Sequence, residues 1–298
     1  IDPKPVQTVK NTNNSGTDSL RAAITSTNSN GGGTIKFNFT SGSCPWVITL
    51  TTELAALVGD TQIEGYTASG AAVNNLDPGD NATICVILEA DAGQVTPPAH
   101  GLVVNSHTVT IQGLGISGFS TAGIDLQGGS AHSVVGNHFG GSVGGHAMQP
   151  NGYDIRVGAG ASDSAIGSGD IADRNIIGDA TNSGIVLSNG TAGNLITGNY
   201  IGVGWNTGSS SYTNRANGAR GVYVAGHDNT ISGNLIGFNT QAGIVLDSLG
   251  AHDNLISLNS VGADILGTNV GNSGPGIHLI GDSGGTGEYP GGDGIERD

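Results

Sequence analysis

Two aspartates and one arginine are the residues whose types and spacing could do chemistry. Asp125 and Asp154 each take the third place of a short segment of the form Gly-apolar-x-apolar, and Arg156 follows two residues after Asp154. If the two segments are neighbouring strands, their carboxylates lie about 5 Å apart, the separation that retaining glycosidases use. We therefore predict that Asp125 and Asp154 share acid and base or nucleophile roles, with Arg156 tuning them. The alternative is a pair of solvated aspartates that Arg156 neutralises.

A loop with aromatic and basic side chains could hold a substrate beside these carboxylates. Insertions at 139–151, 203–220 and 262–275 all precede the same strand of the repeat, and loops gathered on one edge wall off a groove. The predicted substrate-binding residues come from the second insertion and from later strands: Trp205, Tyr212, Arg215, Arg220, Tyr223, Asp247 and His278. The alternative for Trp205 and Tyr212 is that they pin the loop to the protein.

Two similar turns raise metal binding as a further alternative. His227-Asp228-Asn229 and His252-Asp253-Asn254 would stack two imidazoles and two carboxylates in adjacent repeats. Polar turn residues also recur for backbone reasons, and no third ligand has a suitable spacing. We therefore predict no metal site.

All these candidates stand in a repeat that predicts the fold. Segments of the form Gly-apolar-x-apolar occur seven times: Gly101–Val104, Gly123–Leu126, Gly152–Ile155, Gly184–Leu187, Gly221–Val224, Gly243–Leu246 and Gly276–Leu279. Their spacing is a basic period of 22 residues, lengthened in places by insertions. A period of this length is typical of a solenoid.

Each period also contains a second apolar pair and a third short segment, separated by turns with Gly and Asn. Examples are Asn194–Asn199, Asn229–Asn234 and Asn254–Asn259. Three brief strands per 22 residues are too short for helix pairs but suit one rung of a parallel β-helix. Asn tolerates the left-handed conformation and can bond to the next rung, so we predict Asn ladders.

The N-terminal stretch 11–24, which contains Ser-Leu-Arg-Ala-Ala, resembles the N-terminal module of secreted bacterial right-handed parallel β-helix repeat proteins. The family signature is Cys-Ser-Leu-Arg-Glu-Ala; Asp18 replaces its Cys and Ala22 its Glu. Segments 48–54, 61–66 and 199–202 continue the resemblance, which implies an all-β, single-stranded right-handed parallel β-helix of the pectate-lyase-like superfold. Residues 18–24 also predict a short capping helix with Asp18 as its N-cap. We expect a cap and first strand in 1–40 and one continuous β-helix in 41–298.

Composition narrows the class of partner. Nine Lys and Arg against 24 Asp and Glu give a net charge of −15, which repels polyanions, so we expect no nucleic-acid partner. No apolar run is long enough for membrane insertion. Cys44 and Cys85 are the only cysteines, which favours one disulfide and an oxidising compartment, with two buried thiols as the alternative. The chain begins at Ile1 without Met, and we expect a mature, secreted or cell-surface protein.

The expected function is carbohydrate-active, with polysaccharide hydrolysis by the carboxylate pair and no cofactor. Resemblance to β-helical pectin-active proteins also allows a lyase. There Arg156 or Arg220 would take the proton beside a uronic carboxylate, and Ca²⁺ would neutralise that carboxylate. A third reading is a non-catalytic surface or adhesin-like protein, in which the repeat itself is the function.

Overall fold

Three parallel sheets, A, B and C, wrap around one elongated core. The computed structural model describes residues 4–105, 108–247, 250–264 and 267–280, together with the backbone of 294–295. From residue 60 onward, and apart from two antiparallel hairpins, successive short strands join sheets A, B and C in turn, and each pairs in parallel with the equivalent strand of the next rung. The predicted right-handed parallel β-helix is confirmed.

The strands are short in every sheet. Sheet A contains β1 (Val6–Val9), β2 (Gly32–Phe37), β4 (Asp60–Glu64), β7 (Val109–Gln112), β10 (Ser133–Val135), β15 (Ala165–Ile166), β18 (Leu195–Thr197), β23 (Thr230–Ser232), β26 (Leu255–Ser257) and β29 (Gly294–Ile295). Sheet B contains β3 (Trp46–Leu50), β5 (Val86–Ala90), β8 (Leu114–Ser117), β11 (His138–Phe139), β16 (Ile176–Ile177), β19 (Tyr200–Ile201), β24 (Leu235–Ile236) and β27 (Ser260–Val261). Sheet C contains β6 (His100–Asn105), β9 (Ala122–Ser130), β14 (Tyr153–Ser162), β17 (Ile185–Leu187), β22 (Val222–Val224), β25 (Ile244–Asp247) and β28 (Ile277–Ile280).

Stacked apolar side chains form the core because alternate residues of each strand face inward. In sheet C, Ile124, Ile155, Ile185, Val222 and Ile244 follow one another across neighbouring rungs, and all are fully buried. β-Branched side chains pack well at such positions, since the pleated surface restricts them to few rotamers. The repeat therefore builds the core one rung at a time.

Asparagine ladders connect the rungs at their turns, as predicted. Between sheets A and B, the side-chain amides of Asn175, Asn199 and Asn234 each donate to the Oδ1 of the Asn in the next rung, at 2.8–3.0 Å. These side chains are buried, or nearly so, and buried polar groups must find partners. The ladders supply those partners and fix the stacking of the rungs.

A helix covers the first rung, also as predicted, but its N-cap differs from the expectation. Helix α1 (Leu20–Ser29) buries Leu20 and Ile24 against the core. Ser19, not Asp18, is the N-cap, because its hydroxyl accepts from the amide of Ala22 at 3.2 Å. Asp18 instead takes the left-handed turn before the helix, with φ 60°.

The predicted disulfide forms between Cys44 and Cys85. These residues lie just before β3 and β5, which are neighbours in sheet B. Between the 3₁₀ helix Gly65–Thr67 and β5, the chain makes a long excursion, residues 69–84, here called the strap. The strap reaches distant rungs, since Asn74 donates to the carbonyl of Ile171 and Tyr200 accepts from the amide of Gly79.

Insertions between sheets B and C fold partly as antiparallel hairpins. The first contains β12 (Ser142–Val143) and β13 (His146–Ala147), and the second contains β20 (Val203–Asn206) and β21 (Ser211–Asn214). A second 3₁₀ helix, Ile171–Asp173, lies between sheets A and B. Residues 281–293 and 296–298, the end of the predicted β-helix region, lie outside the described residues.

Candidate functional site on sheet C

Asp125 faces Arg156 across sheet C, not Asp154. Strand pairing places Asp125 opposite Arg156 and Ile124 opposite Ile155. The pairing of segment Gly152–Ile155 with the preceding rung therefore differs by two residues from the predicted one. Asp154, not Gly152, takes the place that Gly123 has in that rung. The predicted pair of neighbouring carboxylates is wrong because β14 contains its own apolar alternation, Ile155 and Val157, and these side chains fix the register.

The side chain of Asp154 lies inside the solenoid and is fully buried. Its Oδ1 accepts from the amide of Asn151 at 2.9 Å. Asn151 accepts from the backbone of Phe119, as ladder asparagines do, but in the following rung Ala180 takes the place of the next Asn. Asp154 thus supplies the acceptor that the interrupted ladder lacks. Burial raises the pKa of Asp154 well above its ordinary value.

Asp125 belongs to a closed polar network on the outer side of sheet C. Its carboxylate accepts two bonds from Arg156, from Nε at 2.9 Å and from Nη2 at 2.6 Å, and a third from Gln127 at 2.7 Å. These neighbours cover it completely, so that Asp125 is 0% exposed. The hydrogen bond to Asp125 raises the pKa of Arg156 above its ordinary value, so the guanidinium stays charged.

His100 extends this network to the edge of the sheet. Its Nε2 lies 3.4 Å from Asp125 Oδ2, and its Nδ1 lies 3.1 Å from Glu53 Oε1. Glu53 also accepts from the amide of Ala99 at 3.1 Å. One imidazole therefore bridges a buried carboxylate and a half-exposed one, which orients both of its ring nitrogens.

A second group of predicted residues meets further along the same face. The guanidinium of Arg220 lies 5.1 Å from the ring centroid of Tyr223, and the Tyr223 hydroxyl donates to Asp247 at 2.9 Å. Burial, followed by the bond to Asp247, raises the pKa of Tyr223. His278 takes the same column two rungs beyond Tyr223 and is exposed. Tyr153, half-buried at the start of β14, lies near Arg156 and Tyr223.

Trp205 and Tyr212 lie away from the sheet C face. They face each other in the second hairpin, with ring centroids 5.0 Å apart, and Tyr212 also meets Tyr200 of sheet B at 5.9 Å. The indole packs tightly against Gly79 of the strap. The loop therefore does not wall a groove over Asp125, because its aromatic rings bury themselves against sheet B and the strap.

Arg215 fixes the base of this hairpin. Its guanidinium donates to Asp179 at 3.0 Å and occupies the space above Gly141, where any side chain would collide with it. Arg215 is thus engaged at the corner between sheets B and C, apart from both groups on the outer face of sheet C.

The strap and the second hairpin enclose a concave space at the corner between sheets A and B, here called the A–B cleft. Its volume is about 360 Å³. Arg174, Tyr200, Tyr212, Leu235, Leu258 and Asp264 are among the residues that line it. Of the predicted site residues, this cleft contains Tyr212 alone.

Several residues of these sites were not predicted from the sequence. His100 stands directly before the glycine of a repeat segment, as the predicted residue Arg220 does, and in the corrected register Tyr153 pairs with Ala122, which has the same place. The residues directly before the repeat glycines therefore form a third outward column, which the repeat pattern could have predicted. No sequence pattern predicts Arg174 and Tyr200 as site residues, because the strap that encloses them in the cleft is distant from them in sequence.

The two histidines of the similar turns do stack, with ring centroids 4.8 Å apart and planes within 1°. Each bonds to its own neighbour, His227 to Asp228 and His252 to Asp253. Among the described residues, no three or more His, Cys, Asp or Glu are grouped so that they could hold a metal ion. In the same part of the chain, no helix is long and apolar enough to cross a membrane.

Comparison with known proteins identifies relatives of the fold only. No family model and no curated protein matches the chain. Among solved structures, it is similar to the A-module of the mannuronan C-5 epimerase AlgE6 from Azotobacter vinelandii, with TM-score 0.55 and 12% identity. The similarity covers 85% of this chain and 64% of that module, so the chain spans only part of its length. An alginate lyase from Paenibacillus sp. strain FPU-7 gives TM-score 0.39 at 12% identity, over 92% of this chain and 99% of the lyase.

Proposed function

We propose that the protein binds a uronic-acid polysaccharide along the outer face of sheet C and cleaves it by β-elimination. The observation that carries this proposal is the row of Tyr153, Arg156, Arg220 and Tyr223, which places two guanidinium groups and two phenols on one face. The epimerase module with the same fold acts, by its name, on mannuronan. A chain with net charge −15 needs such local positive groups to hold a polyanion.

Hydrolysis by Asp125 and Asp154 has no geometric support. The mechanism requires two carboxyl groups that face the same glycosidic bond from the same cleft. Asp154 is inside the solenoid, and Asp125 is covered by Arg156 and Gln127. The structure also argues against Arg156 as the base of a lyase, because its bond to Asp125 holds the proton.

In the proposed reaction, Arg220 pairs with the uronate carboxylate and Tyr153 transfers the proton. As a phenolate, Tyr153 takes the proton from the carbon beside the carboxylate. The electron pair of that C–H bond forms the carbon–carbon double bond, and the bond from the next carbon to the glycosidic oxygen breaks. Tyr153 then gives this proton to the released oxygen, which becomes a hydroxyl group, and the phenolate is restored. Within the described residues, Arg220 contacts Tyr223 and forms no salt bridge, so its charge is available to a ligand.

The test is ultraviolet absorbance of unsaturated uronate, measured with alginate, polygalacturonate and a neutral glucan. Wild type should produce it from a uronate polymer only. Tyr153→Phe should lower kcat at least about a hundredfold, and Arg220→Ala should mainly raise KM. Asp154→Asn, a change on the inner side of the same strand, is the matched control and should keep full activity.

Other outcomes reject the proposal in distinct ways. Reducing ends without the absorbance would indicate hydrolysis. Inversion at the carbon beside the carboxylate, without cleavage, would indicate an epimerase. A lack of both cleavage and binding with every polymer would favour the non-catalytic surface protein.

That second candidate has an observation in its favour. Asp125, Arg156 and His100 already satisfy one another, as the side chains of an inert outer face do. In either case we place the protein outside the cell, where its disulfide persists.

A further inference from the structure

We propose that the A–B cleft is a second site, which binds a neutral sugar unit independently of the sheet C face. The inference does not rest on the proposed lyase activity, because the cleft shares no residue with it. Its volume of about 360 Å³ lies within the range of small-molecule sites.

The cleft offers an apolar surface of the kind on which a sugar ring packs. Tyr200 and Tyr212 meet edge to face with an interplanar angle of 66°, and Leu235 packs in the same cluster. One face of Tyr200 already carries the guanidinium of Arg174, whose Cζ lies 4.2 Å from the ring centroid. The stacked pair makes a rigid wall, since Arg174 is also bonded to the strap at Leu76 and Gly79.

The charged groups of the cleft favour a neutral ligand that carries hydroxyl donors. Arg174 is only 7% exposed, and its Nε has no acceptor among the described residues. Asp170 and Asp264 line the same space, and the one cation there, Arg174, is paired with Asp77 at 3.0 Å. This local excess of carboxylates disfavours an anionic ligand, while the hydroxyl groups of a neutral sugar can donate to the carboxylates.

Leu258 adds an exposed apolar side chain to the lining of the cleft. The equivalent turn position before the ladder asparagine is Gly136, Gly198 and Gly233 in other rungs, each with positive φ. In the last of these rungs it is Leu258, which adopts φ 56° and is 66% exposed at the cleft. A leucine is strained in that conformation and gains nothing from exposure to water. A ligand in the cleft would cover this side chain and remove its apolar surface from water.

The experiment uses neutral oligosaccharides of the cello, xylo, manno and malto series in calorimetric titrations, with alginate oligosaccharide as the anionic comparison. Gly169 lines the cleft, and a Cβ at that position meets no atom within 4 Å. Gly169→Leu therefore fills the cleft, and Gly169→Ala is the matched control. Leu258→Gly restores the residue of the other rungs.

Wild type and Gly169→Ala should bind the same neutral oligosaccharide, and Gly169→Leu and Leu258→Gly should weaken it about tenfold or more. Leu258→Gly should not lower the melting temperature, which distinguishes lost contacts from lost folding. The proposal fails if no neutral oligosaccharide binds, if all four proteins bind equally, or if alginate oligosaccharide is the ligand that Gly169→Leu displaces. Uronate cleavage by Gly169→Leu at the wild-type rate separates this test from that of sheet C.

Discussion

The outer face of sheet C and the A–B cleft arrange their polar side chains in opposite ways. On sheet C, the carboxylate of Asp125 lies within 3.4 Å of both the guanidinium of Arg156 and the imidazole of His100, so both groups can pair with it. In the cleft, the Nε of Arg174 is buried and has no acceptor within the described part of the chain, and its guanidinium lies over the ring of Tyr200. The comparison shows that charged side chains on a flat solenoid wall pair with one another between neighbouring rungs. Concave space with unused donors arises where segments from distant sequence fold over the wall.

The largest expected effect tests how closed the sheet C network is. Arg156→Ala leaves the carboxylate of Asp125, which is 0% exposed, without its main partner. Asp125→Ala leaves a guanidinium that is about one third exposed and can turn toward water. We expect a loss of about 2–4 kcal/mol in the free energy of unfolding for the first and about 1 kcal/mol for the second, measured by denaturant titration. Equal losses would show that the two charges are equally solvated.

The next effect concerns the inner side of the same strand and has a defined pH dependence. Because the pKa of Asp154 is raised in the folded protein, unfolding releases a proton once the pH exceeds the ordinary value of 3.8. Stability is thus lost as pH rises from 3.8 toward the raised pKa. Asp154→Asn keeps the acceptor for Asn151 but removes this loss.

We therefore expect Asp154→Asn to gain about 1–3 kcal/mol at neutral pH and nothing below pH 3.8, as measured by thermal unfolding across a pH series. Asp253→Asn, on an exposed turn, is the matched control and should be neutral throughout. A destabilised Asp154→Asn at neutral pH would mean that the carboxylate is ionised inside the ladder.

The smallest effect tests the wall of the cleft. Tyr200→Phe removes the hydroxyl that accepts from the amide of Gly79 at 3.0 Å but keeps the ring against Arg174. We expect a loss of about 1 kcal/mol, confined to the strap, because one buried hydrogen bond is broken. Hydrogen exchange should accelerate at Gly79 and remain unchanged in strands β9 and β14. Unchanged exchange at Gly79 would show that other contacts hold the strap.

The sequence determined the periodic part of this protein. The 22-residue period, the apolar alternation and the turn asparagines were enough to predict the parallel β-helix and its Asn ladders. Residues 18–24 predicted the capping helix, and the presence of only two cysteines predicted the Cys44–Cys85 bond. These features depend on neighbours within a strand or one rung away, where local pattern and spacing specify the contact. Six of the seven repeat segments stack as their glycines indicate.

Tertiary structure decided where the side chains of the candidate sites go. A shift of two residues in β14 moved Asp154 from the outer face to the ladder gap beside Ala180, since strand register follows the buried side chains and not the glycine. The strap brought Gly79 to Tyr200, a separation of 121 residues that no period encodes. Sites built within the repeat are thus readable from its columns. The A–B cleft is not, because its walls come from insertions whose packing partners only the folded chain selects.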